Sequence, residues 1–492
     1  MVTSRSEPVG DASFDVVVVG AGPAGLAATF HALSAGSTVA LVDAGAGPGG
    51  QFWRHPRRSS ADSRPRPEHV AYLHHDLPTY RLLVEVLDRE RSSGHATYLA
   101  EHDVWTVSRD DDGFVVHAVD RDGRSGATTQ LRARRLVLAT GAYDRQVPFP
   151  GWDLPGVMTA GGVQALLKAH HVQAGRRILV AGTGPFLLSV AAGLASSGAQ
   201  VAGVHESSSL RGLSGYGSAL LRNPGKALEG VGYARTLARH RVPVHTRSVV
   251  LAAHGGEELE AVTVGRIAAD GSIVRGSEHR VVVDVLAVGW GFTPQLELPL
   301  TLGCATRVDA DGSQVCVVGE DQETSVPGVF VAGEACGVGG AELAVVEGGI
   351  AGAAAGAVAA GSNGQPSPVG RLGRRRRDAL RRFARAMHDA HPVPAVWTQA
   401  LEHGTVLCRC EEVTVGDLRA AVEELGAADG RDAKLLSRAG MGWCQGRVCG
   451  YATACLTASW SGQPYTPGRV GTRPVATPVR LGDLADTDDG GD

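Results

Sequence analysis

The chain has 492 residues and a formal net charge of −4, with 67 glycines and eight cysteines. That length allows three domains with well-buried cores, and the near-balanced charge gives no general pull towards nucleic acid or acidic membranes. Met1–Ala12 is polar, with no apolar core for a secretory signal, and no spanning segment follows, so we expect a cytoplasmic protein without direct membrane insertion.

Phe14–Val19 is a short continuous apolar run, as expected of a central parallel strand. It enters Gly20-Ala-Gly22-Pro23-Ala24-Gly25, a helix through about Ala35, and a second strand, Thr38–Asp43. This is a βαβ dinucleotide fingerprint. Gly20 permits the turn, Gly22 admits a pyrophosphate close to the backbone, and Gly25 lets helix and strand pack closely. The helix N-terminus at Pro23 and Ala24 faces the phosphates, and Asp43 can bond a ribose hydroxyl. The motif does not separate FAD from NAD, but an acid at position 43 argues against NADP. Gly47–Arg54 follows as a loop wrapping the far side of the cofactor, with Gly50, Gln51 and Arg54 as candidate contacts.

Residues 55–68 read as a polar excursion, and strands are expected over Tyr98–Val107 and Phe114–Val119. Arg135–Ala139 is another buried strand, and it runs into Thr140 and Gly141, where backbone must lie against a ligand. Pro148–Gly156 is a stiff connector. A second βαβ unit opens at Arg177 and carries Gly182 and Gly184, with Glu206 ending its next strand. Its third glycine position holds Leu187, so the fold is expected to persist with looser helix–strand packing, and nucleotide occupancy stays open. The chain returns through Pro327–Gly340, where Gly333 and Glu334 precede an apolar helix over Ala341–Ala360. Glu334 could bond a flavin's ribityl or ribose hydroxyls, and the helix N-terminus could favour a reduced isoalloxazine.

Gly361–Gly370 is a linker by composition, and the arginine-rich stretch over Arg371–Arg385 reads first as a solvated basic helix. Cys408, Cys410, Cys444 and Cys449 then form two close pairs. Soft thiolates suit zinc or an iron–sulfur cluster, and a C-x-C pair is tighter than the usual zinc knuckle. Downstream of a flavin- or nicotinamide-handling module, a [2Fe–2S] cluster makes the better sense. Arg409, Lys434, Arg438 and Arg447 would surround it with positive charge. The remaining cysteines, Cys304, Cys316, Cys336 and Cys455, are scattered and read as core residues. No histidine pair has metal-ligand spacing, and no residue is assigned as a catalytic acid, base or nucleophile.

The expected architecture is α/β, with two Rossmann-like dinucleotide-binding domains in a glutathione-reductase-like arrangement, the second inserted in the first, and a small C-terminal α-helical [2Fe–2S] domain. The expected boundaries are 1–150 and 296–362 for the FAD-binding domain and 151–295 for the NAD(P)-binding-like insertion. They continue with 363–402 for linker and basic helix, 403–465 for the cluster domain and 466–492 for the tail.

Seven stretches carry a family resemblance: GAGPAG (20–25), GPGGQFWR (47–54), ATGAYDR (139–145), the run 148–168, the run 332–352, CRCEEVT (408–414) and GMGWCQGRVC (440–449). Together they resemble the FAD- and [2Fe–2S]-containing α subunits of bacterial amino-acid and imino-acid dehydrogenases, a family including opine oxidases, hydroxyproline and proline dehydrogenases, and hydrogen cyanide synthase. The resemblance implies an FAD-containing β subunit, similar to D-amino-acid or sarcosine oxidases, that oxidises the C–N bond and passes electrons on, often through an FMN at the subunit interface. Some such complexes also carry a small third subunit. Relatives hold FAD, NAD or ATP at the first fingerprint, so FAD at Gly20–Gly25 is what the resemblance favours. Two rivals stand beside this electron-relay reading: a self-sufficient NADH-dependent reductase, and a non-catalytic metal-stabilised scaffold subunit.

Overall fold

The computed structural model describes residues 12–56, 73–121, 128–209, 223–359, 370–467 and 475–485. Most of the polar excursion at 55–68, the turn expected near 122–126, the 361–369 linker and the last residues of the tail lie outside them.

The first sheet is built from Ala12–Val19 (β1), Val39–Asp43 (β2), Ala96–Ala100 (β3), His102–Arg109 (β4), Phe114–Asp120 (β5) and Thr128–Leu138 (β6), in the order β3-β2-β1-β6-β5-β4. Val16 to Val18 are fully buried, as a strand covered on both faces requires. The helix Pro23–Ser34 (α1) joins β1 to β2, and Leu77–Ser92 (α2) precedes β3. The patch of short strands expected around Tyr98–Val107 and Phe114–Val119 is present, and its first part divides into β3 and β4. Glu101 sits at φ 59°, in the left-handed region, and the chain turns there. As a result β3 pairs parallel with β2 while β4 pairs antiparallel with β5.

The chain leaves this sheet along Ala142–Asp144 (β7) and comes back along Phe292–Pro294 (β16), and the two strands pair as an antiparallel ribbon. Between them lies a parallel five-stranded sheet. Its strands are Val157–Thr159 (β8), Arg177–Gly182 (β9), Gln200–Glu206 (β10), Val244–Thr246 (β11) and Val285–Gly289 (β15), in the order β11-β10-β9-β15-β8. Ala160–His170 (α3), Phe186–Ser196 (α4) and Pro224–Arg239 (α5) pack on it, and Ser248–Gly255 (β12), Leu259–Arg266 (β13) and His279–Val282 (β14) form an antiparallel layer. Leu187 does not leave α4 standing off the sheet. Its side chain fills the space above Gly289, where a Cβ would meet Leu187 Cδ2 at 3.0 Å. The room that the missing helix glycine would have provided is supplied by a glycine on the neighbouring strand.

Back in the first unit come Glu297–Thr301 (α6), the ribbon Thr306–Val308 (β17) with Gln314–Cys316 (β18), and Val329–Val331 (β19), which pairs with the end of β6. The apolar helix Ala341–Ala359 (α7) lies along α1. A Cβ on Gly348 or Gly352 would stand 2.0 Å from the carbonyl oxygens of Ala24 and Ala28. The small-residue composition therefore serves a close helix pair. Cys304, Cys316 and Cys336 share one core cluster under the first sheet, so they are gathered rather than scattered.

Gly370–Ala390 (α8) is the basic helix, and it is not simply solvated. Leu380 and Ala384 are buried, Arg381 pairs with the buried Glu347, and Arg376 pairs with Glu342. Its acidic partner is its own chain. Val415–Glu423 (α9), Gly430–Ser437 (α10) and Gly450–Ser461 (α11) make a small C-terminal bundle. A capping box between Thr414 and Asp417 starts α9, as the sequence suggests. The Pro148–Gly156 connector is more than a spacer, because Trp152 is 2% exposed and donates its indole N–H to the Val406 carbonyl at 2.5 Å. Trp152, Leu407 and Cys408 belong to one hydrophobic core, which fixes the bundle against the inserted unit. No helix among the described residues is long and apolar enough to cross a membrane.

Candidate functional site

One cavity of about 2460 Å³ runs from the first glycine turn to the edge of the C-terminal bundle. It far exceeds the ~300–1,000 Å³ usual for a single small-molecule pocket. Gly20, Gly22, Pro23, Ala24, Asp43, Gly50, Gln51, Arg54, Thr140, Gly141, Gly333 and Glu334 all line it. Gly25 does not. It is buried against Gly20, whose carbonyl oxygen a Cβ would approach to 1.7 Å, in keeping with the packing role expected of it.

Local geometry leaves the first turn open to a ligand. Gly22 caps α1 at φ −73°, and a Cβ there would find nothing nearer than the Gly50 Cα at 4.0 Å. Gly49 N–H donates to the Ala21 carbonyl at 2.7 Å, which holds the 47–54 loop against the turn. Asp43 ends β2, and its Oδ2 is buried without a hydrogen-bond partner. Burial pushes this carboxyl up to about 6, against the pull of N–H groups at Ala21, Gly45 and Ala44 and the charge of Arg54. A buried acceptor of this kind calls for a donor from a ligand.

Across the cavity, burial raises the Glu334 carboxyl to about 7, with Asp144 adding to the rise and Arg381 opposing it. Burial raises the Asp144 carboxyl in turn, with the Thr159 hydroxyl and the backbone of Gly161 and Gly162 opposing the rise. The backbone under Glu334 is held by Glu347, whose Oε2 accepts from Gly333 N–H at 3.0 Å.

The cavity ends at Cys444, Arg447 and Tyr451. Arg447 donates from Nε to Glu297 at 2.7 Å and to the Tyr143 hydroxyl at 2.8 Å, so it joins the bundle to β7 and α6. The four clustered cysteines lie near one another in the bundle and act on one another's acidity: Cys449 on Cys408, Cys444 on Cys410, and Cys408 and Cys444 on Cys449. Interaction with Cys449 and with the backbone at Gly440, Glu411 and Cys410 brings Cys408 down to about 5 in spite of its burial. Cys408 and Cys449 are buried, Cys410 is exposed, and Cys444 lies between. Among the described residues no three His, Cys, Asp or Glu side chains converge as ligands of a single metal ion.

The charge expected around these cysteines is largely spent elsewhere. Arg438 pairs with Glu411, Arg447 with Glu297, and Arg409 lies over the Trp152 ring at 4.0 Å while bonding its carbonyl. Sequence reading also missed Tyr143, Asp144 and Lys168 as cavity residues. Tyr143 and Asp144 sit beside the Gly141 turn and could have been found by proximity. Lys168, on α3, gives no local signal.

Comparison with known proteins accounts for this layout. The pyridine nucleotide-disulphide oxidoreductase family matches residues 14–364. Hydrogen cyanide synthase subunit HcnB of Pseudomonas aeruginosa is 34% identical over 89% of this chain and 91% of its own length. An opine oxidase subunit of Rhizobium meliloti is 34% identical over 96% of this chain and 98% of its own length. The crystal structure of L-proline dehydrogenase from P. horikoshii shares the fold, with a TM-score of 0.64 at 20% identity, covering 98% of this chain and 81% of that one. This chain belongs to the pyridine nucleotide-disulphide oxidoreductase family, alongside hydrogen cyanide synthase subunit HcnB and the opine oxidase subunit.

Proposed function

We propose that the chain is the electron-relay subunit of a multi-subunit dehydrogenase acting on the C–N bond of an amino or imino acid. In this reading FAD occupies the cradle around Gly22, a [2Fe–2S] cluster is held by Cys408, Cys410, Cys444 and Cys449, and a separate flavin-bearing subunit oxidises the substrate. Relatives named as subunits of hydrogen cyanide synthase and opine oxidase support the partnership.

The observation that carries the reading is the continuity of the cavity, which touches both Asp43 and Cys444. The residues fit the groups. Asp43 Oδ2 awaits a hydroxyl donor, and Gly22 leaves open the space a Cβ would fill. Four thiols from two close sequence pairs are the donor set that a [2Fe–2S] cluster takes, and Cys410 and Cys449 each feel the charge of others among them. Backbone N–H groups at Gly440, Glu411 and Cys410 already point at the Cys408 sulfur and would stabilise a thiolate ligand. A bound flavin would accept electrons in pairs and a cluster would pass them singly. The protein's own work is positional. Glu347 and Arg381 set the Gly333 backbone, while Tyr143, Glu297 and Arg447 close the space between cradle and cysteines. No side chain is asked to act as general acid or base. The unit over 1–150 and 296–362 and the bundle over 403–465 are the proposed domains that present these two sites to each other, with the insertion over 151–295 packed between their segments.

Iron and acid-labile sulfide in purified protein, with a paramagnetic signal after dithionite, test the relay. Cys408→Ser is expected to abolish all three while leaving flavin bound. Unchanged iron in that variant overturns the ligand set. Capture of a flavin-bearing subunit with the tagged chain tests the partnership.

A further inference from the structure

Lys168 lies in the last turn of α3, in the inserted unit, and is only 6% exposed. Its ammonium reaches across to the first unit, donating to the Phe52 carbonyl at 2.9 Å and standing 5.6 Å above the Phe52 ring. Lysine is seldom buried unless a counter-charge compensates the lost hydration. Here no carboxylate among the described residues forms an ion pair with it. The charged or titratable groups facing it are Arg54, His74 and His75, none of them acidic. Burial, with Arg54 next, brings its ammonium down to about 8, so it is still mostly charged at neutral pH. One of three donors is used at Phe52, and a single neutral carbonyl does not offset the burial of a full charge. Lys168, Phe52 and Arg54 line the same cavity as Gly22 and Asp43.

We infer that Lys168 is the seat for a negatively charged group on the nucleotide that fills this cavity, either its phosphate chain or its reduced ring. The inference rests on the proposed function only in taking that nucleotide to be FAD. Because the lysine comes from the inserted unit and the cradle from the first, an anion there would also tie the two units together through the ligand.

The test uses full-length protein stripped of nucleotide and titrated separately with FAD and with ADP, comparing wild type, Lys168→Gln and Lys168→Arg. Glutamine keeps an N–H for the Phe52 carbonyl and removes the charge, while arginine keeps the charge. If the phosphate chain is the anion, Lys168→Gln weakens FAD and ADP alike by about tenfold or more, and Lys168→Arg stays near wild type. If the reduced ring is the anion, ADP binding is unchanged and the bound flavin's midpoint potential falls in Lys168→Gln alone. Unchanged affinity for both ligands together with an unchanged potential overturns the seat. A wild-type chain that takes ADP but refuses FAD sinks the flavin reading instead, and a tenfold loss of ADP affinity in Lys168→Gln would still uphold the seat.

Discussion

Two glycine turns that share a G-x-G-P opening sit in this molecule, and they end in different states. At the first, Gly22 lies at φ −73°, α1 begins at the next residue, and the acid closing β2 keeps one oxygen without a partner. At the second, Gly184 lies at φ 97° and α4 begins two residues on, at Phe186. Glu206 is turned onto the turn itself. It accepts from Gly184 N–H at 2.8 Å, Ser208 N–H at 2.9 Å and the Thr183 hydroxyl at 3.2 Å, with His391 Nδ1 at 3.5 Å. Pro392, just past α8, lays its carbonyl against the same Thr183 hydroxyl at 3.4 Å. The second acid is satisfied by protein where the first awaits a ligand. A carboxylate seated on the phosphate-facing N–H would also repel a pyrophosphate. In both units a βαβ frame sets the place of the glycine turn, and the disposition of one acid is what distinguishes them.

The largest effect should come from Gly22→Val. The backbone angle tolerates a side chain and protein atoms leave room for it, so the variant should fold while its side chain fills the cradle. We expect a loss of about 3 kcal/mol in cofactor binding, roughly two orders of magnitude in affinity. Flavin absorbance of the purified variant reads this directly, and full occupancy would refute the assignment of the first turn. The matching measurement at the second turn is a stopped-flow mix of wild type with NADH. Little or no flavin bleaching is expected, and rapid bleaching would erase the contrast between the turns.

Next in size is Arg381→Met. Glu347 is 1% exposed, and Arg381 is its ion-pair partner as well as a donor to the Gly337 carbonyl. Removing one member of a fully buried pair costs about 3–5 kcal/mol, and because the Arg381 side chain is 25% exposed we expect roughly 2 kcal/mol here. Burial raises the Glu347 carboxyl and Arg381 lowers it, so the variant's carboxyl should rise further. A raised acid contributes stability below its unfolded pKa and loses it as pH rises through the folded value, so the deficit should grow with pH. Chemical denaturation at two pH values measures it. Because α8 carries the chain to His391 and Pro392, the same variant should loosen the closure of the second turn.

Much of this was readable in the sequence, and what was not has physical causes. The first turn, its acid and the Gly141 and Gly333 crossings were legible because buried strands running into glycine have few other uses. The four cysteines stood out by spacing, and the structure places all four in the C-terminal bundle and the strand before it without converging three of them on one point among the described residues. The closure of the second turn was not legible, since it depends on His391 meeting Glu206 and Pro392 meeting Thr183 across some two hundred positions. Nor was the docking of α8, because an arginine-rich face looks the same whether water or Glu342 and Glu347 meets it. Trp152 read as linker because nearly half of the core that buries it comes from residues 396–456, more than two hundred positions away.

The smallest effect, and the finest probe of the contrast, is the pH dependence set by Asp43. Its carboxyl sits near 6 in the empty protein because burial penalises the charged form. Hydroxyl donors from a bound ribose would favour the carboxylate, so affinity should be level above pH ~6 and decline below it, as binding then requires loss of a proton. Stability of the empty protein should move the other way. An acid raised from its ordinary value near 3.8 to about 6 contributes stability that is fully present below the lower value and is lost as pH rises through the upper one. Acidification across that window should therefore strengthen this contribution to the empty fold while weakening the complex. Asp43→Asn should bind about tenfold more weakly at neutral pH and lose the dependence altogether. Glu206 offers no such signature. Burial alone would raise its carboxyl, but His391 and the N–H groups of Ser208 and Gly184 hold it below the ordinary value, so it is already charged throughout this range. Calorimetric titration with FAD between pH 5 and 8 separates the cases. An affinity that ignores pH would put Asp43 outside the ligand's contacts and leave both acids as structural groups.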